Sequence, residues 1–207
     1  MKAFIFSGGD ICTENIAERP SAEDISIAAD SGYLNARALG ARVDVLVGDL
    51  DSLGEASVPS GIELVRLKCE KDLTDTQVAV SLAIERGADD IIIIGGLGSR
   101  LDHSLSAACI LPALKESGVH GYMTNGYNRV RYLERDSLLV AKSSYKYLSL
   151  VALDKECRGV SAEGVKYPLK NAKIRRDCQY AISNEIEGNI ALVSVRRGAM
   201  LVIESRD

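Results

Sequence analysis

Short apolar runs alternate with helical segments along the first part of the chain. The runs are rich in Ile and Val, and the segments between them have a helix-forming composition and are followed by glycine. This alternation predicts a doubly wound α/β domain, a mostly parallel sheet covered by helices. The predicted strands are Ala3–Phe6, Ile25–Ala29, Val43–Val47, Ile62–Leu67, Ile91–Ile94 and Val119–Met123, and the predicted helices are Tyr33–Leu39, Asp75–Arg86 and His103–Ser117.

Beyond a turn-rich stretch at Thr124–Asn128, the pattern changes to one strand after another without a long helix. A smaller all-β sandwich or barrel is therefore expected after an α/β domain, with residues 1–126 and 127–207 as the two domains. The last two predicted strands are joined by Arg197-Gly198 and are expected to form a hairpin. The predicted strands are Val130–Leu133, Tyr147–Leu153, Gly159–Ser161, Gln179–Ile182, Ile190–Arg196 and Ala199–Glu204.

The composition fits a soluble globular protein and excludes several classes of function. The chain has 207 residues, of which 46% are hydrophobic, and a net charge of −4 that argues against a nucleic-acid surface. No apolar stretch approaches the roughly 20 residues that span a bilayer, so no membrane role is expected. The five cysteines are isolated in the sequence, which favours reduced thiols and a cytoplasmic location.

Two aspartates one residue apart, Asp49 and Asp51, follow the predicted strand Val43–Val47. Side chains at positions i and i+2 of an extended chain share a face, so both carboxylates are expected beyond the strand end. Neighbouring carboxylates repel unless a cation joins them, and oxygen ligands at this edge of an α/β sheet suit Mg²⁺ with a phosphate substrate. The alternative is a simple turn, in which aspartate is common.

Other acids repeat this placement. Asp30 follows the strand Ile25–Ala29, and Asp102 follows Ile91–Ile94 after a glycine loop. This repetition favours a cluster of aspartates at one edge of the sheet, because parallel strands end at the same edge.

The segment ahead of the second predicted helix offers both a structural and a functional interpretation. Thr74 and Gln77 form a capping-box pattern, so helix capping alone explains the presence of Thr74. Asp75 at the helix start has a structural explanation as well. Lys71 places a cation just before the helix N-terminus, where phosphate oxygens meet its charge and the free N–H groups.

A glycine loop, Gly95–Gly98, lies between a buried strand and the third predicted helix. Glycine lets the backbone approach a ligand, and Arg100 offers a planar fork for phosphate oxygens. Asp102 alternatively caps the helix, and His103 is more simply a hydrogen-bonded residue at the helix start than a general base.

Taken in order, the segments Gly48–Ser52, Lys71–Asp75 and Gly95–His103 resemble the thiamine pyrophosphokinase family. Gly159–Leu169 and Ile182–Glu185 extend the resemblance over nearly the whole chain. The resemblance implies a nucleotide- and metal-binding α/β catalytic domain followed by a thiamine-binding β-sandwich, working as a homodimer. It also implies the conversion of thiamine and ATP to thiamine diphosphate and AMP with Mg²⁺.

The resemblance further implies roles for individual residues. The positions that match the family's acidic cluster are Asp30, Asp49, Asp51, Asp75 and Asp102. For the implied reaction, our hypothesis is that Asp49, Asp51 and Asp75 hold Mg²⁺, and Asp30 is a candidate for the proton acceptor. The positions that match its nucleotide-binding segments are Lys71, Thr74, Arg100 and His103. Ser183 and Asn184 match the segment that meets thiamine, which the partner subunit contributes.

Two alternative functions stay open. The first is phosphoryl or pyrophosphoryl transfer to another small alcohol, such as a pterin-like or sugar compound, and the second is nucleotide binding without catalysis. The chain also departs from the family in two ways. Ser99 stands where a further glycine is frequent, and the chain has no tryptophan, so any stacking on thiamine must come from tyrosine or phenylalanine.

Overall fold

The computed structural model of the protein describes residues 1–49, 60–67, 72–98 and 100–207. The chain divides into two compact units, Met1–Gly126 and Tyr127–Asp207. Strands and helices alternate in the first unit, and the second consists of strands. No helix in the described part of the chain is long and apolar enough to cross a membrane. The predicted fold class, a parallel α/β unit followed by an all-β unit, is confirmed.

A parallel sheet forms the centre of the first unit. Its strands, within the described residues, are β1 (Lys2–Phe6), β2 (Ile25–Ala29), β3 (Val45–Gly48), β4 (Glu63–Arg66), β5 (Asp90–Ile94) and β6 (His120–Thr124). They lie in the order β4-β3-β2-β1-β5-β6, and every neighbouring pair is parallel. Consecutive residues are buried along β1, β2 and β5, which shows that both faces of the sheet are covered.

The helices of this unit are α1 (Gly32–Ala38), α2 (Asp75–Glu85), α3 (Leu101–Ala108) and α4 (Ile110–Glu116), with a short 3₁₀ helix at Thr13–Asn15. Helix α1 packs on β1 and β2, and its Tyr33 and Ala36 share a core with Phe4 and Phe6. Helix α2 contacts β1, β2 and β3. The apolar side chains of the central strands are thereby removed from water.

The single helix predicted over His103–Ser117 is wrong, because the structure has two helices separated at Cys109. The cause lies in Pro112, three residues beyond the break. Proline has no N–H to donate to the carbonyl of residue 108, and its ring clashes with that carbonyl in a continuous helix. The N–H of Cys109 still bonds to the carbonyls of Leu105 and Ser106, so α3 closes before α4 begins.

The second unit is an antiparallel β-sandwich. Its strands are β7 (Asn128–Glu134), β8 (Ser137–Ala141), β9 (Tyr147–Ala152), β10 (Glu156–Glu163), β11 (Leu169–Arg175), β12 (Ile190–Ser194) and β13 (Ala199–Ser205). In this unit β7, β13 and β9 pair side by side, and the other sheet has the order β11-β10-β12-β8. The two sets of strands enclose a common core that includes Leu150, Val160, Val193 and Met200. A sandwich is thus confirmed.

The predicted hairpin between the last two strands is wrong. β12 pairs with β8 and β10, whereas β13 pairs with β7 and β9. The N–H groups of Arg196 and Arg197 both donate to the carbonyl of Arg158, and Gly198 has φ +94°. These features turn the chain from one sheet to the other, so that both strands bury their apolar side chains in the same core.

One predicted strand of this unit is absent from the structure, and two observed strands were not predicted. Gln179–Ile182 is not a strand, because it borders β9 through irregular contacts in which the Gln179 side chain accepts from Ala152 N–H. The structure adds β8 and β11, which no predicted strand covered. Both lie at the edges of their sheet, where few side chains are buried and the apolar pattern is therefore weak.

Candidate functional site

A cleft of about 350 Å³ opens in the first unit, where β1, β2 and β5 end beside the start of α2 and α3. Because the carboxyl ends of parallel strands meet at one edge of the sheet, residues far apart in sequence gather there. The residues that line the cleft are Ser7, Gly8, Gly9, Asp10, Ala29, Asp30, Ser31, Thr74, Asp75, Thr76, Gly95, Gly96, Gly98, Arg100, His103, Ser106 and Ala107. The structure thus brings together five of the predicted site residues, Asp30, Thr74, Asp75, Arg100 and His103.

Asp30 lies directly after β2 and has φ +47°, a conformation that non-glycine residues seldom adopt. Its N–H donates to the Val47 carbonyl at 2.8 Å, which ties the ends of β2 and β3 together. A Cβ placed on Gly48 would lie 3.5 Å from the Asp30 Cβ. Asp49 comes one residue later and is exposed, so it stands at the same edge of the sheet but outside the lining of the cleft.

The start of α2 forms a second wall of the cleft. The predicted capping box is confirmed, because the Gln77 N–H donates to the Thr74 hydroxyl and the Thr74 N–H donates to Gln77 Oε1. Asp75, the first residue of the helix, is half-buried in the wall. The hydroxyls of Thr76 and Ser7 lie 2.9 Å apart and join this helix to the loop after β1.

Two glycine loops line the cleft and contact each other, Ser7–Asp10 after β1 and Gly95–Gly98 after β5. The Gly9 N–H donates to the Gly95 carbonyl at 2.9 Å. Gly95 has φ +77°, and a Cβ there would lie 2.4 Å from the Ser7 carbonyl oxygen. A Cβ on Gly98 would lie 2.9 Å from the Gly9 Cα, so the backbones touch without room for side chains.

Arg100 and Asp102 form an exposed pair at the start of α3. Arg100 donates from Nε to Oδ1 at 3.2 Å and from Nη2 to Oδ2 at 2.7 Å. This hydrogen bonding lowers the pKa of Asp102 to about 2 and raises the pKa of Arg100. Asp102 is not the N-cap of the helix, because Arg100 holds that position, and Asp102 lies outside the lining of the cleft.

Phosphate oxygens that bind Arg100 must compete with the Asp102 carboxylate. Both side chains are about two-thirds exposed, at 68% and 66%, so water already screens their attraction. His103, the next residue, is exposed and lines the cleft beside them. The guanidinium is therefore available to a ligand at a modest cost.

Part of the predicted site lies outside the described residues, namely Asp51 and Lys71. Among the described residues no group of three or more His, Cys, Asp or Glu side chains could hold a metal ion. Mg²⁺ in phosphate-transfer sites is commonly bound by one or two carboxylates plus substrate phosphates and water. Asp75 in the cleft is a donor of the type that such a site requires.

In the second unit, Ser183 and Asn184 follow the irregular segment beside β9. Ser183 has φ +59°, and its N–H donates to the Ser149 hydroxyl at 2.9 Å. The Asn184 side chain accepts from the N–H groups of Tyr167 and Glu185 and donates to the Tyr167 carbonyl. Asn184 therefore holds the Tyr167 segment in place.

The sequence interpretation missed several polar residues of the cleft. Ser7 and Asp10 flank the two glycines after β1, and Thr76 follows Asp75. A glycine pair directly after a first strand is the one local signal that points to the loop. Ser7 and Thr76 are 69 positions apart, so no local pattern predicts their contact.

Comparison with known proteins identifies relatives over both units. The family model for "Thiamin pyrophosphokinase, catalytic domain" matches residues 17–123, and the model for "Thiamin pyrophosphokinase, vitamin B1 binding domain" matches residues 137–200. The first match contains the cleft apart from the Ser7–Asp10 loop, and the second contains Ser183 and Asn184.

Individual relatives agree with these matches. Thiamine pyrophosphokinase of Bacillus subtilis (strain 168) is 27% identical over 165 residues, which cover 77% of either chain. A crystal structure of thiamine pyrophosphokinase from Bacillus subtilis has a TM-score of 0.89 at 23% identity, and 100% of each chain is covered. A thiamin pyrophosphokinase family protein from Enterococcus faecalis has a TM-score of 0.82 at 28% identity, again with 100% of each chain covered.

Proposed function

Because this chain belongs to the thiamin pyrophosphokinase family, we propose that it transfers the pyrophosphoryl group of ATP to thiamine. The products are thiamine diphosphate and AMP. The observation that carries the proposal is the cleft itself, which gathers Asp30, Asp75 and Arg100 around two glycine loops within and beside the matched catalytic segment. Backbone N–H groups that can approach closely and an arginine bind a nucleotide's phosphates directly, and carboxylates bind the Mg²⁺ that accompanies them.

The proposed reaction is an in-line displacement at the β-phosphorus of ATP. The hydroxyethyl oxygen of thiamine forms the new O–P bond, the bond between the β-phosphorus and the bridging oxygen to the α-phosphate breaks, and AMP leaves. Asp30 accepts the proton of the alcohol. Such transfers depend mainly on positioning and electrostatic stabilisation, which rigid strand ends and loops provide.

Cationic side chains offset the charge of the transferring group in this proposal. Arg100 turns from Asp102 to the phosphates, with Lys71 as the second cation, while Thr74 and His103 face the nucleotide. Support for Arg100 and His103 comes from their place in the lining of the cleft.

Mg²⁺ belongs to the proposal as the ion that Asp49, Asp51 and Asp75 hold. When bound, it supplies charge stabilisation to the phosphate oxygens. Hard carboxylate oxygens at the carboxyl edge of the sheet support this choice of ion. Asp102 belongs to the same predicted acidic cluster but is not a proposed Mg²⁺ ligand. Because its side chain forms an ion pair with Arg100, we propose that it holds Arg100 in the absence of substrate and releases it to the phosphates.

We further propose a cytoplasmic homodimer, in which Ser183 and Asn184 of a second copy meet thiamine. Free thiols at Cys12, Cys109, Cys157 and Cys178 suit a reducing compartment. A mixture of Asp75→Asn and Asn184→Ala protein tests the shared site. Activity above the sum of the two variants supports it, and strictly additive activity contradicts it.

AMP release from ATP tests the proposed function. Purified chain is incubated with ATP and Mg²⁺ and with thiamine or a panel of other small alcohols, and AMP is quantified. We expect AMP only when thiamine and Mg²⁺ are present together, with thiamine diphosphate formed in equal amount. AMP formation with a pterin-like or sugar alcohol instead would establish the alternative acceptor. ATP binding without turnover under any acceptor would establish a non-catalytic module.

A further inference from the structure

The loop Ser7–Asp10 has little side-chain bulk with which to fix its own shape. Two of its four residues are glycine, and glycine has the greatest conformational freedom of any residue. Contacts from outside the loop therefore decide which of its backbone groups face the cleft.

Asn35, a half-buried residue of α1, provides such a contact. Its Nδ2 atom lies 2.7 Å from the Ser7 carbonyl oxygen and 2.7 Å from the Gly9 carbonyl oxygen, so one amide donates to both. The same atom lies 2.9 Å from the point where a Cβ would stand on Gly95. Asn35 is therefore located where the two glycine loops meet.

The negative charge of the ATP phosphates makes the direction of the Ser7 and Gly9 carbonyl oxygens important. Phosphate groups are bound by N–H groups and cations, and carbonyl oxygens directed at them are repulsive. The Asn35 amide engages the carbonyl oxygens of Ser7 and Gly9, which keeps both oxygens directed toward α1. We infer that Asn35 is a positioning residue that holds the Ser7–Asp10 loop in the conformation that accepts the phosphates of ATP.

This inference rests on the proposed function for the identity of the anion. It concerns a residue that contacts the loop and not the substrate, so its effect is expected in the affinity for ATP. We expect helix α1 to stay intact in Asn35→Asp, because aspartate keeps the side-chain volume. This variant removes both N–H donors and also adds a negative charge, which is why the neutral Asn35→Ala is tested beside it.

Asn35→Asp and Asn35→Ala are the test variants. We expect KM for ATP to rise about 10-fold or more in both, because a misplaced loop weakens phosphate binding. KM for thiamine should change less than about twofold, since Ser183 and Asn184, the residues proposed to recognise thiamine, lie in the second unit. Calorimetric titration of the thiamine-free enzyme with ATP should show the same weakening without turnover.

Ser26→Ala is the matched control. Ser26 is fully buried, and its hydroxyl donates to the Arg42 carbonyl near the start of β2, away from the cleft. Its removal should lower the thermal midpoint and leave the affinity for ATP unchanged. The inference is overturned if the Asn35 variants behave like this control, with a lowered midpoint and an affinity for ATP within about twofold of the parent.

If Asn35→Ala does not fold, Asn35→Leu replaces it, because leucine has a similar volume, donates no hydrogen bond and, unlike aspartate, adds no charge that would itself repel ATP. Failure of the proposed function is separable from failure of this inference. If the parent chain binds ATP but makes no thiamine diphosphate, the proposed function fails, and the ATP titration of the variants still decides the role of Asn35.

Discussion

The two units hold their candidate binding residues in different ways. In the first, Asp30, Asp75 and Arg100 stand at strand ends and helix starts, beyond a sheet whose core is complete without them. In the second, the Asn184 amide is committed to the backbone of Tyr167 and Glu185. Binding and stability are therefore separable in the first unit and coupled in the second, since removing a group that satisfies backbone partners exposes those partners.

The largest expected effect is on catalysis in the first unit. Asp75→Asn removes a negative charge from the cleft wall while keeping the size of the side chain. We expect turnover to fall about 100-fold or more, with a raised Mg²⁺ requirement, because the lost carboxylate is a proposed ligand of the Mg²⁺ that stabilises the phosphate charge. The thermal midpoint should stay close to that of the parent, which differential scanning fluorimetry will check.

Asp90→Asn provides the matched control for this variant. Asp90 begins β5, at the opposite end of the strand from the cleft, and pairs only loosely with Lys2 at 3.5 Å. Normal turnover is expected. An Asp75→Asn enzyme that kept near-normal turnover at ordinary Mg²⁺ concentrations would remove Asp75 from the proposed metal site.

An intermediate effect is expected on stability in the second unit. Asn184→Ala leaves the Tyr167 N–H and carbonyl without their side-chain partners. These bonds are exposed, so water replaces them in part, and we expect a loss of about 1 kcal/mol in the free energy of unfolding. KM for thiamine should rise in the same variant. Urea denaturation measures the first quantity, and Asn189→Ala, an exposed asparagine nearby in sequence, is the control that should change neither. If the Asn184→Ala variant lost affinity for thiamine without losing stability, binding and stability would be separable in the second unit as well, and the contrast between the two units would be wrong.

The smallest expected effect concerns the Arg100–Asp102 pair. The pKa of Asp102 is lowered to about 2 in the folded chain, chiefly by the hydrogen bonds from Arg100. The Arg100–Asp102 pair therefore stabilises the folded chain fully above about pH 4, the ordinary range of the carboxyl. This contribution to the free energy of unfolding is lost as the pH falls through the lowered pKa. Carboxyl-carbon NMR should show the Asp102 titration move up towards its ordinary range in Arg100→Gln. An unchanged titration would mean that the pair does not form in solution.

The sequence predicts the first unit well for a physical reason. Parallel strands that are buried on both faces have continuous apolar runs in their sequence, and β5 with its isoleucines is the clearest case. The same topology places strand ends together, which made Asp30 and Arg100 predictable from local pattern alone. The helix break at Cys109 was not predicted, although Pro112 is a local signal for it.

What the sequence did not predict depends on contacts between distant segments. Asn35 lies 28 positions from Ser7, and nothing around it distinguishes it from any other polar residue on a helix. The edge strands β8 and β11 bury too little to leave a regular pattern. The pairing of β13 was mispredicted because a short Arg-Gly connection is compatible with a hairpin and with a change of sheet.

The position of β13 has a consequence for the order of events during synthesis. β13 lies between β7 and β9, yet the ribosome makes both neighbours well before it reaches Ala199. Until Ser205 has left the exit tunnel, β7 and β9 have no strand to pair with across that gap, and the apolar side chains of the sandwich stay open to water. The first unit is complete in sequence by Gly126 and has no such delay, so we expect it to fold on the ribosome before the sandwich does.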